Sequence, residues 1–326
     1  MKAVMMRRRS LIRSAAAVAL LPAPALAQTF PSKQIRILVA TPPGGGLDIV
    51  ARVLAQELTK SAGLSMLIEN KVGGAGTIAA REAVRAPGDG YTVLLAPIGM
   101  LAVNPYAMKD AGYNPPTDFT PICLAVDFSN VLCVHPSVPV HSLADYLALG
   151  RRPDGIDYGS AGIGSAGHLA GELLRSRSGA KLNHIPFRGG GPAMNDLIAG
   201  HIPSAMASGP TATNAVREGR VRAIALTAAK RAPIDPDVPT IAELGFPGYA
   251  ATNWYALVVS SKVPREIVVT LNTLMNKGLA APEVRESYSR QGMITLGGTV
   301  DEATAYINRE TEVWKKVVVD AGIRME

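Results

Sequence analysis

A chain of 326 residues is longer than one typical domain, so two lobes are the default expectation. Hydrophobic residues make up 48% and charged residues 18%, a balance that supplies ordinary cores and excludes a disordered, low-complexity chain. Lys2, Arg7, Arg8, Arg9 and Arg13 carry most of the formal charge of +7; subtracting those five leaves +2, which excludes a polyanion-binding body and with it a nucleic-acid partner.

The first predicted element is a leader. Its basic start is followed by an apolar run at 15–21, by Pro22 and by Ala25-Leu26-Ala27, an A-x-A cleavage pattern that places the mature start near Gln28. Residues 1–27 therefore read as a signal peptide, and the periplasm as the destination. Arg8-Arg9-Ser10-Leu11 leaves the Sec and twin-arginine routes both open. The apolar run is shorter than the roughly 20 residues of a membrane span, and no later segment is both long and apolar enough, so no stable membrane insertion is expected.

Beyond the leader, apolar strand-like runs alternate with amphipathic stretches, the pattern of an α/β fold. A strand at 35–40 leads through a turn at 41–47 to a helix at 48–61. A strand at 65–69 and a helix at 76–86 follow. The turn Pro87-Gly88-Asp89-Gly90 opens a strand at 92–96. Apolar segments at 121–126 and 131–134 flank Asp127-Phe128-Ser129-Asn130, which reads as a turn between them. If the two segments pair as a hairpin, Cys123 and Cys133 can bond; if they diverge, they cannot. Further strands are predicted at 156–159, 183–187, 202–207, 222–227 and 255–260, with helices at 168–177 and 192–199. The last helix, 301–321, takes its apolar spacing from Ala305, Ile307, Val313, Val317 and Val318. The return of the chain after Asn253-Trp254-Tyr255 divides it into a first lobe, 28–125 plus 258–326, and a second, 126–257, joined by crossing strands.

Chemistry concentrates in the strand-to-helix turns, where ligands bind in open α/β sheets. In Thr41-Pro42-Pro43-Gly44-Gly45-Gly46-Leu47-Asp48, three glycines let backbone approach a ligand, and the following helix points free N–H groups at it. Asp48 in the first helical turn also suits the positive end of the dipole without any ligand. The stretch Tyr158-Gly159-Ser160-Ala161-Gly162-Ile163-Gly164-Ser165-Ala166-Gly167-His168 formally satisfies G-x-G-x-x-G. The dinucleotide reading nevertheless fails, because the next strand ends Ile185-Pro186-Phe187-Arg188 with no acid to hold a ribose. A nucleophile elbow fails too: Tyr158 and Ile163, not glycine, stand two residues before Ser160 and Ser165. The stretch reads instead as an anion cradle of backbone N–H groups aided by the Ser160 and Ser165 hydroxyls. His168 either touches the ligand or packs behind it. In the third turn, Gly189-Gly190-Gly191-Pro192 opens a helix; Arg188 pairs with a carboxylate or is solvated, and Asp196 meets a cationic ligand group or the helix dipole. Several Gly-rich helix starts with few catalytic side chains describe a binding cleft that needs no cofactor and no metal.

At these turns the chain resembles the periplasmic receptors of tripartite tricarboxylate transporters, the Bug-type solute-binding proteins. The markers are the run from Pro42 to Arg52, Glu69-Asn70-Lys71-Val72-Gly73-Gly74-Ala75-Gly76, Asp89-Gly90-Tyr91-Thr92, Asn104-Pro105, Tyr158 to Leu169, Gly189-x-Gly191-Pro192-Ala193 with Asp196-Leu197, and Asp237-Val238-Pro239-Thr240. The resemblance implies a two-lobed, type II-like periplasmic-binding fold, each lobe a mixed sheet flanked by helices. It implies a monomer that closes on a small carboxylate and passes it to the membrane subunits of a transporter. The ligand-binding residues are then Thr41, Gly44, Gly45, Gly46, Ile98, Gly99, Ser160, Gly162, Ile163, Gly164, Ser165, His168, Gly189 and Asp196. Departures from the family's pattern at Phe187-Arg188-Gly189, Ser204 and Ala207-Ser208-Gly209-Pro210 are expected to border the cleft, so the ligand's identity does not transfer. A sensor presenting its closed form to a membrane kinase shares all these features. An exported enzyme does not fit as well, for want of a triad, a metal cluster or paired carboxylates.

Overall fold

The computed structural model describes residues 30–232, 236–320 and 322–325; the leader and cleavage site predicted from the sequence lie outside the described residues. Ile35–Val39 (β1) lies between Met66–Asn70 (β2) and Thr92–Pro97 (β3), parallel to both. Ile37 and Leu38 point to opposite faces of β1 and both are fully buried, so helices cover this part of the sheet on both sides. The covering helices include Gly46–Ala62, which ends at left-handed Gly63, and Thr77–Arg85.

The predicted turn at 127–130 is not a turn. Phe119–Val134 is one 16-residue strand (β4), and Asp127-Phe128-Ser129-Asn130 runs through its middle. Cys123 and Cys133 therefore stand ten residues apart on one strand, both buried and neither in a disulfide, a separation that is incompatible with a bond between them. The sequence signal misled because those polar groups have buried partners supplied by distant residues. The Ser129 hydroxyl accepts from the N–H groups of Thr227 (3.0 Å) and Ala228 (3.1 Å), and the Thr227 hydroxyl accepts from the N–H of Asn130 at 3.0 Å.

The remaining strands are Ile156–Ser160 (β5), Leu182–Pro186 (β6), Ser204–Ser208 (β7), Arg222–Leu226 (β8), Thr252–Ser260 (β9) and Met293–Gly297 (β10). The sheet runs β2-β1-β3-β9-β4-β7-β5-β6, with β10 and β8 also pairing with β4. Its two halves share β4. Phe119–Ser129 pairs with β9, while Asn130–Val134 pairs with β7 and residues 131–134 with β8. The strands leave one half and re-enter it side by side, since Ser129 is opposite Thr252. The molecule is a two-lobed α/β protein.

Helices absent from the sequence reading fill out both halves: Leu143–Gly150, Gly209–Arg217, Arg265–Ala280 and Pro282–Ser289. The last long helix, Val300–Asp320, buries Ala303, Ile307, Trp314 and Val318, whereas Val313 is half exposed and Ala305 faces solvent. The buried face follows helical spacing through Trp314, which the aliphatic count had passed over. Among the described residues no helix is long and apolar enough to cross a membrane.

Candidate ligand-binding cleft

Turns from both lobes enclose one cleft of about 940 Å3. In the turn after β1, Gly44 adopts φ +81° and Gly45 caps the helix. A Cβ on Gly46 would lie 2.6 Å from the Tyr255 hydroxyl, so this position has room for hydrogen alone. Asp48 is 3% exposed and accepts from the Gly44 N–H, from Arg52 Nε and from Asn70 Nδ2, each at 2.9 Å. Burial opposes its ionisation, but these donors and the Arg52 charge prevail and hold the carboxyl below its ordinary value. Asn70 Nδ2 also donates to the Thr41 carbonyl at 2.8 Å. Asp48 thus fixes the turn, and Thr41 faces the cleft with a buried hydroxyl that has no partner.

After β2, residues 73–76 all have positive φ: Gly73 +127°, Gly74 +54°, Ala75 +50° and Gly76 +92°. Ala75 is the one non-glycine so placed among the described residues, a strain of about 1 kcal/mol. Its carbonyl accepts from Asn104 Nδ2 at 3.0 Å, and the same amide donates to the Tyr113 hydroxyl at 3.1 Å. With both donors engaged, the orientation of the Asn104 amide is set. Its buried Oδ1 is left on the cleft wall without a partner.

Glycines stand at two of the places where the lobes touch. A Cβ on Gly99, after β3, would lie 2.8 Å from the Gly164 carbonyl oxygen; one on Gly189 (φ +134°) would lie 3.1 Å from Pro42 Cδ.

The turn after β5 stands on a buried polar network. Ser160 Oγ lies 2.7 Å from His184 Nε2 and accepts from the Gly162 N–H at 3.1 Å and from the Ser165 hydroxyl at 3.2 Å. The Gly164 N–H donates to His168 Nδ1 at 3.1 Å, and the His168 ring stacks on His184 with centroids 4.1 Å apart. Behind them the Tyr158 hydroxyl donates to Glu172 Oε1 at 3.2 Å, and Arg175 Nε donates to Glu172 Oε2 at 2.8 Å. Burial, against the pull of Glu172, holds His168 below its ordinary value; burial and the neighbouring His168 push His184 down to about 3. A Ser–His contact is therefore present that the sequence reading did not foresee. An imidazole that weak is a poor general base at neutral pH, and Ser160 is 1% exposed. The pair braces the turn.

The N–H groups of Gly162, Gly164 and Ser165 are all engaged within the turn, the last donating to the Gly162 carbonyl. The expected cradle thus has fewer free donors than a count of its glycines suggested. Ile163, whose N–H has no acceptor among the described residues, sits at its exposed crest.

Of the residues singled out in the sequence, Thr41, Ile98, Gly99, Gly162, Ile163, Gly164, Ser165 and Gly189 line the cleft. Gly44, Gly45, Gly46, Ser160 and His168 are not in its wall, and the contacts above place Gly46, Ser160 and His168 behind it. Asp196 does not line it; its carboxylate lies 3.5 Å from His201 Nδ1. Of the three departures, only Phe187-Arg188-Gly189 borders the cleft. Ser204 is fully buried within the sheet and donates to the Asp157 carbonyl at 2.6 Å.

Residues that the sequence reading missed also line it: Val72 to Gly76, Asn104, Asn253, Tyr255, Arg324 and Met325. The Gly73-Gly74-Ala75-Gly76 cluster before a helix was a visible signal. Asn253, Tyr255 and the C-terminal pair had none, because only the fold carries them there. Among the described residues no Asp or Glu lines the cleft, and its two cations, Arg188 and Arg324, have no hydrogen-bond or ion-pair partner.

Residues 50–323 match the family model described as the tripartite tricarboxylate transporter family receptor. Protein BugT of Bordetella pertussis is 33% identical over 312 residues, which cover 95% of this chain and 96% of BugT. Among solved structures, Rpa4515 of R. palustris with adipate is 34% identical with a TM-score of 0.87, covering 90% of this chain and 99% of that one. MatC (Rpa3494) from Rhodopseudomonas palustris with bound malate is 29% identical with a TM-score of 0.82, covering 89% and 100%.

Proposed function

The chain belongs to the tripartite tricarboxylate transporter receptor family, a family of solute-binding receptors, and on that premise we propose that it captures a small carboxylate in the interlobe cleft. In this reading it works in the periplasm as a monomer and hands its ligand to the membrane subunits of a tripartite transporter. The lobes are 28–125 with 258–326 and 126–257; pairing partners change near Ser129 and Thr252, which supports a two-strand crossing close to those limits.

One observation carries the proposal. The cleft presents two guanidiniums without partners among the described residues and the Ile163 N–H, with no acid among the described lining residues. An anion supplies the counter-charge that these guanidiniums lack, which a neutral sugar does not supply and an amine opposes; the orphaned Asn104 and Asn253 Oδ1 atoms on the same wall remain for a donor on the ligand. The adipate and malate of the two related structures are anions of this class. The ligand shell is Thr41, Ile98, Gly99, Gly162, Ile163, Gly164, Ser165 and Gly189. Gly44, Gly45, Gly46, Ser160 and His168 hold the turns in shape.

Calorimetric titration of the mature protein with adipate, malate and other small acids, alongside sugars, amines and nucleotides, tests this. At least one acid is expected to bind stoichiometrically and to be recovered unchanged, by mass spectrometry, after hours with the protein. Binding confined to the non-acids contradicts the reading. Conversion of a bound acid to product makes the protein an enzyme.

A further inference from the structure

We infer that Arg324, carried into the cleft by the C-terminal tail, reads a second acidic group on the ligand, so that this receptor selects diacids over monoacids of equal length. The inference rests on the carboxylate reading above.

After the last helix the chain turns at Gly322 (φ +64°), and the Ile323 N–H donates to the Val318 carbonyl at 3.0 Å. The Met325 N–H donates to the Ala107 carbonyl at 2.9 Å, and Met325 bridges in parallel to Met108. Ile323 and Met325 are each 5% exposed. Arg324, between two such anchored neighbours, is exposed and lines the cleft, as expected where successive side chains alternate. Met325 also seats the tail against the second lobe: its Sδ lies 2.8 Å from where a Cβ on Gly164 would be. The guanidinium is thus held at the cleft by backbone bonds on both sides, next to a ligand turn.

A surface arginine commonly finds an acid nearby, and this one has none among the described residues. The guanidinium offers a planar fork of donors matched to a carboxylate. The Ile163 N–H at the exposed crest and Arg188, both in the cleft lining, can take a first carboxylate, which leaves Arg324 for a second.

The test is titration calorimetry on the mature protein with matched pairs, adipate against hexanoate and succinate against butyrate. Wild type is expected to bind at least one diacid tenfold or more tightly than its monoacid. Arg324→Ala and Arg324→Gln should lower that diacid to the level of the monoacid, leave monoacid binding within about threefold, and leave the circular dichroism spectrum unchanged. Arg324→Lys should keep part of the preference, as a point charge without the fork. A diacid preference that survives Arg324→Ala, that disappears instead in Arg188→Ala, or that falls together with monoacid binding overturns the assignment. Monoacids binding wild type as well as diacids removes the role of Arg324 and leaves the receptor reading standing. Wild type that binds none of these acids removes both.

Discussion

Asp127 shows how far one residue's behaviour can depart from its sequence context. In mid-strand, its Oδ2 accepts from the Tyr306 hydroxyl at 3.4 Å. Burial pushes its carboxyl up to about 7; the Tyr306 and Thr252 bonds oppose the shift, and the nearby Glu310 adds to it. Glu310 is itself held there by the indole N–H groups of Trp254 (3.1 Å) and Trp314 (3.2 Å). The folded state therefore holds the Asp127 proton more tightly than the unfolded chain, where the pKa is near 3.9. Its contribution is most favourable below about pH 4 and is lost as pH rises through about 7, an effect of up to about 4 kcal/mol. Asp127→Asn should raise stability at pH 8 by about 2–4 kcal/mol and change it little at pH 4. Urea unfolding at the two pH values measures this, and an unchanged difference between them would sink the assignment.

At the scale of elements, the crossing between lobes is a hydroxyl-stitched junction of three chain segments. Ser129 on β4 accepts two N–H groups from 227–228, and the Thr227 hydroxyl donates to the Ala251 carbonyl at 2.7 Å, one residue before β9 begins. Ser129→Ala leaves the half-buried Ala228 N–H without its acceptor, while the Thr227 N–H keeps the Asn130 carbonyl at 2.9 Å. Such a loss costs about 1–3 kcal/mol, so a destabilisation of that size is expected, seen as a lower urea midpoint. A midpoint equal to wild type would show that water replaces the hydroxyl and that the stitch has no energetic role. The turns around the cleft obey a related logic. Asp48, Asn70, Ser160 and His168 are polar residues spent on holding loops, which is why a list of polar residues near glycines overstates the ligand's own contacts.

For the whole molecule, a ligand held between lobes binds the folded state alone and stabilises it by mass action. At a hundredfold excess over the Kd the gain is about 2.7 kcal/mol. For a chain of this size each kcal/mol moves the midpoint by about 2 °C, so the melting temperature should rise by about 5 °C. A thermal-shift series with the acid that binds most tightly tests it, and the shift should grow with the logarithm of ligand concentration. A flat response from an acid of confirmed stoichiometric binding would mean that the unfolded chain binds it equally well.

The local signals were sufficient for the α/β alternation, for the first strand–turn–helix units and for the Gly-rich turns, because each follows from spacing and backbone freedom within a dozen residues. Thr41 and the 162–165 turn were legible in the cleft lining for that reason, whereas Ile98 and Gly99 came from the family resemblance alone. The unbroken run of β4 was not. Whether Asp127-Phe128-Ser129-Asn130 turns or continues depends on partners about a hundred residues away, and only the fold supplies Thr227 and Ala228. His184 behind Ser160, Tyr255 in the space of a missing Gly46 side chain, and Arg324 at the cleft are likewise juxtapositions of segments distant in sequence. The sequence set which stretches could approach a ligand; tertiary packing decided which of their polar atoms were left free to meet it, since a donor already bonded inside its own turn has nothing more to offer.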